Sequence, residues 1–225
     1  MTTTAAPRLY FAYGSNLSPT QMALRCPSSV PVGLAHLPDY TFIINSRGYA
    51  NVVRKAPPPV ALDAGRSVSA PENNASSTPL PGPTNPGVYG LLYTLPPADE
   101  ATLDKCEGVP HAYQKQDLLV KVVSSAASSD PSTAPSASWP SSDGGIHLQE
   151  SANVTALVYV DNERTEPSSP RTEYIDRMNR GVDEATMLFN LPAEYVDRVI
   201  RPYIPAPETP IVDTTAIADP FLERA

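Results

Sequence analysis

Glu107 stands where a carboxylate is out of place. It ends the stretch "PPADEATLDKCEGV" (96–109), which reads as one helix: Pro97 suits a first turn, Asp99 and Glu100 favour a positive N-terminal end, and Gly108 suits the position just past the last turn. At the negative end of that helix a carboxylate is opposed by a few tenths to about 1 kcal/mol, and its pKa is pushed upward. Partial burial adds to the shift, and a carboxyl with proton affinity near working pH is what general acid–base chemistry needs. The plainer reading is a solvated Glu at a frayed helix end.

A second stretch, "LYFAYGSNLSPTQ" (9–21), offers a place for the charge that such chemistry develops. An apolar strand runs into Gly14, which permits a sharp turn, and Asn16, which tolerates left-handed angles and can bond its own backbone. Ser18-Pro19-Thr20-Gln21 then reads as a helix start, with Ser as N-cap, Pro at the first helical position and Gln completing a capping box. Free N–H groups beside a positive helix end form a ready site for a carboxylate or a developing oxyanion. An ordinary strand–turn–helix connection is the alternative.

The elements that would position these groups alternate along the chain. "RLYFAY", "YTFIIN" (40–45), "YANVVR" (49–54), "GVYGLLYTL" (87–95), "YQKQDLLVKVV" (113–123) and "NVTALVYV" (153–160) are strand candidates by β-branched and aromatic content. Helical signals fall at Pro19 to about Arg25, Pro97 to about Cys106, and about Arg171 to Arg201 with a break near "NLP" (190–192). Six strands suffice for a sheet that curls or closes, so the expected class is α+β, in one domain over 8–202. Residues 203–225 read as an extended tail.

Proline, 27 residues in 225, is more than twice its average usage of about 5 per cent. It crowds into residues 56–86, and a Ser/Ala-rich stretch occupies 124–150. Neither offers enough apolar mass to offset an ordering entropy of about 1–2 kcal/mol per residue, so both read as long disordered insertions. The 16 Lys and Arg against 24 Asp and Glu leave a net charge of -8, with no basic stripe for a phosphate backbone; no nucleic-acid partner is expected. No apolar run approaches the roughly 20 residues of a membrane helix, and the N-terminus lacks a signal-peptide core, so a cytoplasmic protein with no membrane partner is expected. Cys26 and Cys106 suit a reducing compartment as free thiols. His36, His111 and His147 are scattered, so no metal is expected.

Together "YFAYGSNL", "GVYGLLYTL" and "LDKCEGV" resemble the γ-glutamylcyclotransferases, whose hallmark is a YGSN-type loop and one glutamate in an E-G-V setting. "SPRTEY" (169–174) and "NLPAEYVDRV" (190–199) are similar in outline to that family's C-terminal segments. The resemblance covers roughly residues 8–54, 86–123 and 152–202. It implies a small mixed β-barrel or curled sheet with flanking helices, a monomer or homodimer, working without metal or other cofactor on a small-molecule γ-glutamyl substrate. It further implies that Tyr10, Phe11, Ala12, Tyr13, Gly14, Ser15 and Asn16 line the γ-glutamyl pocket. Glu107 would be the proton acceptor, with Tyr113 and Tyr174 reaching the substrate from later elements. The stretch from Glu107 to Tyr113 is one residue shorter than the family pattern, and the one before Tyr174 is longer.

The chemistry this implies suits a single carboxylate. A γ-glutamyl amide carries its own nucleophile, because its α-amine can close onto the γ-carbonyl to give 5-oxoproline and expel the attached amine. The leaving amine is left open: an amino acid, cysteinylglycine, a cross-linked lysine or a glutathione adduct; the proline-rich insertions hint at a fungal source, for which the family resemblance implies the last, in secondary metabolism. Cys106 is a weak rival nucleophile, since only Lys105 is near to lower its pKa. Ser15 lacks a nucleophile-elbow pattern. A non-catalytic metabolite-binding or stress-response module on the same fold is the alternative from another class.

Overall fold

In the computed structural model, which describes residues 8–55, 87–125, 148–208 and 219–221, five strands close into a barrel and a hairpin lies beside it. The strands are β1 (Arg8–Ala12), β2 (Pro31–Leu37), β3 (Tyr40–Ile44), β4 (Ala50–Arg54), β5 (Val88–Leu95), β6 (Gln114–Ser125) and β7 (Asn153–Val160). The barrel order is β1-β5-β2-β6-β7, closed by a parallel pairing of β7 with β1, while β3 and β4 pair only with each other. Every other pairing is antiparallel, with Tyr10 opposite Tyr93 and Phe11 opposite Leu92 in the β1–β5 register.

Helices α1 (Pro19–Arg25), α2 (Pro97–Glu107), α3 (Thr172–Phe189) and α4 (Ala193–Tyr195, running on into a π-helical turn Val196–Ile200) complete the α+β fold. α3 buries Tyr174, Arg177, Met178, Gly181, Val182, Ala185 and Phe189, the three- and four-residue spacing of one helical face. Asn190 stops it in the left-handed region, at φ 55°, ahead of Pro192. The break expected near 190–192 is therefore a helix C-cap. A single cluster of buried side chains links the barrel, the hairpin and the helices.

Four expectations need correction or qualification. A seventh strand, β2, was not read from "PVGLAHL": its Pro31, Gly33 and Ala35 carry little β-propensity, yet it is buried on both faces between β5 and β6. β6 runs on to Ser125, two residues into the segment read as an insertion. The insertion at 56–86 and all but the edges of that at 124–150 lie outside the described residues. The stretch from 203 is not simply an extended tail: Ile204 is fully buried, and Asp219 is buried against α1.

Candidate active site

The chain leaves β1 at Ala12, turns at Gly14 and forms one 3-10 turn, Ser15–Leu17, before Ser18 caps α1. The cap is as expected at one end only. Ser18 Oγ accepts the Gln21 N–H at 3.0 Å, but the Gln21 side chain turns into the loop, donating to Ser15 Oγ and Asn16 Oδ1, both at 2.8 Å. Gly14 owes its place to closeness: a Cβ there would lie 2.9 Å from the Tyr174 hydroxyl. Asn16 does not use left-handed angles. Instead its side chain is a junction, with Oδ1 also accepting from Arg25 Nη1 at 3.2 Å and Nδ2 donating to the Tyr10 hydroxyl at 3.0 Å and to Glu107 Oε1 at 3.3 Å.

α2 delivers that glutamate. The helix ends at Glu107 because Gly108 takes left-handed angles (φ 65°, ψ 37°), letting the Val109 N–H reach the Asp104 carbonyl at 3.0 Å. The Glu107 side chain is 18 % exposed and lies 3.7 Å from Arg25 Nη1. Burial pushes its pKa up, and nearby Arg25, Arg177 and Arg47 only partly offset this. The direction is the one expected, but desolvation is its largest cause.

Glu107 opens into a cavity with an empty volume of about 520 Å³, part of it open to solvent. Tyr10, Tyr13, Gly14, Ser15, Asn16, Tyr113 and Tyr174 line it, so the structure brings these sequence-identified residues together from β1, its turn, the start of β6 and α3. Phe11 and Ala12 do not line it. Both are fully buried in the apolar core: strand alternation turns Phe11 away from the face that Tyr10 shares with Ala12, and the short Ala12 side chain does not line the cavity.

Of the six tyrosines lining the cavity, the four identified from the sequence have hydroxyls of two kinds. Tyr13 donates to the Tyr159 carbonyl at 2.5 Å and Tyr113 to the Ala50 carbonyl at 2.7 Å, so their protons are committed. Tyr10 accepts from Asn16, and Tyr174 accepts from the Ser15 and Ala50 N–H groups, each at 3.3 Å. Among the described residues neither of these two hydroxyls has an acceptor for its own proton. The Ser15 amide is thus already bonded to Tyr174, and the Leu17 and Ser18 amides close the 3-10 turn onto Gly14 and Ser15. The expected cluster of free amides is smaller than "YGSN" suggests.

Several cavity residues were not read from the sequence: Arg25, Arg47, Tyr49, Ala50, Tyr159, Arg177 and Phe221, while Cys106, which also lines the cavity, was weighed only as a rival nucleophile. Arg25 makes two bonds to Asp219, Nε to Oδ2 at 2.6 Å and Nη2 to Oδ1 at 2.9 Å. Arg177 is buried, bonded to Glu173 Oε2 through Nε at 3.2 Å and Nη2 at 3.1 Å, and its Nη1 reaches Ser15 Oγ at 3.3 Å. Phe221 packs edge-on to Tyr49, at 5.8 Å, beneath the guanidiniums of Arg25 and Arg177. A buried arginine four residues after a glutamate on an apolar helix face, Glu173 and Arg177, was the one available signal. Burial raises the Cys106 thiol pKa, which suits a core residue better than a nucleophile. Among the described residues no group of three or more His, Cys, Asp or Glu is placed to hold a metal ion, and no helix is long and apolar enough to cross a membrane.

The class of protein is set by this architecture: an α+β chain with a closed five-stranded barrel, a hairpin beside it, and one carboxylate in a tyrosine- and arginine-lined cavity. That fold is shared with a γ-glutamyl cyclotransferase. A solved structure described as gamma-glutamyl cyclotransferase aligns with a TM-score of 0.55 and 19 % identity over 97 % of this chain and 99 % of that one. A human protein described as uncharacterized protein loc79017 aligns with a TM-score of 0.57 and 19 % identity over 98 % of both chains. No protein-family model matches the chain, and no curated protein sequence does.

Proposed function

We propose that the protein is a γ-glutamylcyclotransferase, converting a γ-glutamyl amide into 5-oxoproline and a free amine. The observation that carries this is Glu107, a half-buried carboxyl of raised pKa that is oriented by Asn16 and opens into the same cavity as the Tyr174 hydroxyl. Glu107 takes a proton from the substrate's α-ammonium. The freed amine attacks the γ-carbonyl, forming the ring C–N bond and an oxyanion. The oxyanion collapses and the bond to the leaving amine breaks; Glu107 returns its proton to that amine, which also takes up the second proton shed by the ring nitrogen and departs as an ammonium.

Tyr174 supplies the oxyanion donor in this reading. Its oxygen accepts two main-chain N–H groups, which polarise the O–H and aim it away from them. One such donor is worth about 2.7–4 kcal/mol in the best-measured case. Holding amine and carbonyl in an attack geometry supplies about 7–11 kcal/mol more, so a rigid pocket does most of the work. The likeness of fold to a γ-glutamyl cyclotransferase supports the assignment.

The test is 5-oxoproline release from γ-glutamyl amides of an amino acid, of cysteinylglycine, of a lysine ε-amine and of a bulky glutathione adduct. Release from at least one, abolished in Glu107→Gln, is expected. Binding without release by the wild-type protein across that panel would sink the proposal in favour of a non-catalytic metabolite-binding module.

A further inference from the structure

The three cavity arginines are not equivalent. Arg25 is paired with Asp219 and Arg177 with Glu173. Arg47, in the turn joining β3 to β4, makes no ion pair with a carboxylate among the described residues, and its Nη1 is buried there with no hydrogen-bond partner. A buried, unpaired guanidinium nitrogen costs free energy unless a partner is brought to it.

The turn around Arg47 is nonetheless tightly built. Asn45 Oδ1 accepts the Arg47 N–H at 3.0 Å, the Gly48 N–H donates to the Asn45 carbonyl at 2.8 Å, and Arg171 Nε donates to the Arg47 carbonyl at 2.8 Å. The guanidinium lies over two rings, 5.6 Å from the centroid of Tyr49 and 5.5 Å from that of Tyr113. Backbone and aromatic surfaces therefore hold the cation in place with Nη1 buried and unmet, leaving a positioned guanidinium donor for an anion.

The charge balance of the cavity points the same way. Arg25 and Arg177 have Asp219 and Glu173, and an ionised Glu107 balances Arg47 only until it takes up a proton. When it accepts one from a substrate ammonium, the substrate is left with an uncompensated carboxylate and the cavity with an uncompensated cation.

We propose that Arg47 is the receptor for a carboxylate of the substrate, making it a specificity-determining residue for amides that carry one; this rests on the cyclotransferase reading. A γ-glutamyl amide of an amino acid has two such groups, the α-carboxylate and that of the leaving amine.

Calorimetry in a Glu107→Gln background, where binding is read without turnover, separates them with four probes. γ-Glutamylalanine carries both carboxylates, γ-glutamylmethylamide only the α-carboxylate, 4-aminobutanoylalanine only that of the leaving group, and 4-amino-N-methylbutanamide neither. Adding Arg47→Gln is expected to weaken γ-glutamylalanine at least about 10-fold, and Arg47→Lys to weaken it less, because the charge stays while the fork is lost. Parallel weakening of γ-glutamylmethylamide alone assigns the α-carboxylate, and of 4-aminobutanoylalanine alone the leaving group. Unchanged affinity for all probes, equal weakening of the carboxylate-free probe, or no binding of any probe before Arg47 is changed overturns the proposal. Should Arg47→Gln fail to fold, the same comparison is read from Arg47→Lys. Absence of 5-oxoproline release by the wild-type protein, with carboxylate-dependent binding intact, would remove the cyclotransferase reading and leave the carboxylate site standing.

Discussion

On the side of the cavity formed by the 14–16 turn and the end of α2, side chains are linked by a hydrogen-bond network: Asn16 alone joins Tyr10, Gln21, Arg25 and Glu107. Around the β3–β4 turn and Phe221, by contrast, Arg47, Tyr49 and Phe221 meet mainly through ring faces and edges. Hydrogen bonds fix angle as well as distance, and buried networks lose heavily when one member is removed. Ring contacts are worth about 0.5–2 kcal/mol and tolerate a shift of position. The first side suits a group whose proton must be aimed; the second suits a surface that meets substrates of differing shape.

The largest effect should come from the glutamate on the bonded side. Glu107→Gln should lower turnover by at least about 10²-fold, the lower end of general acid–base contributions, with substrate affinity largely kept; near-normal 5-oxoproline release would exclude the carboxylate as the base. Because burial raises the folded-state pKa of Glu107, its ionisation weighs against the fold at neutral pH, and this cost disappears as pH falls toward the unfolded value. The Gln variant should therefore be at least as stable at neutral pH, with any advantage shrinking under acid in thermal melts. The acidic limb of kcat/KM should lie above the ordinary glutamate range for the same reason.

Next in size is a contrast between two tyrosines of the same cavity. Tyr174→Phe removes a hydroxyl with a proton to give and should lower kcat by about 10²-fold, as loss of an oxyanion donor does. Tyr113→Phe removes one whose proton is held by the Ala50 carbonyl, and should cost about 1–3 kcal/mol of stability with a much smaller change in kcat. Equal kinetic losses would erase the division of the tyrosines into two kinds.

Asn16→Ala tests the network itself, and chemical denaturation should show a loss of about 1–3 kcal/mol, since buried partners are left unpaired. The smallest effect is expected around the β3–β4 turn. Tyr49→Leu removes the single ring that lies beneath Arg47 and against Phe221 and should cost about 0.5–1 kcal/mol, read as a rise in KM with kcat nearly unchanged. A fall in kcat as large as that of Tyr174→Phe would mean that the two sides work as one unit.

The same division explains what could be read from the chain beforehand. Gly14, Ser18, Pro19, Pro97 and Gly108 announce turns and helix ends through local chemistry, so the turn and Glu107 were legible together. β2 was missed because its strand character comes from burial between β5 and β6, which no local propensity records. Arg25, Arg47 and Phe221 were missed for a related reason. Each sits in an unremarkable stretch and becomes a cavity residue only through partners far along the chain, such as Asp219 for Arg25, 194 positions away. Phe11 and Ala12 are pocket residues only by the family resemblance; strand alternation turns Phe11 into the core, and Ala12 is fully buried there too.

That separation of 194 positions also bears on the order in which the site is assembled during synthesis. β7, the last barrel strand, ends at Val160, some sixty residues before Asp219. At about 5–20 residues per second, a ribosome needs roughly 3–12 s to cover that interval. Through it the barrel's strands already exist while Arg25 still lacks its carboxylate and faces Glu107 alone, which favours the ionised form of that acid. Burial remains the main cause of the raised proton affinity of Glu107, and the small further rise that Asp219 adds comes last, from a segment that takes no part in the barrel.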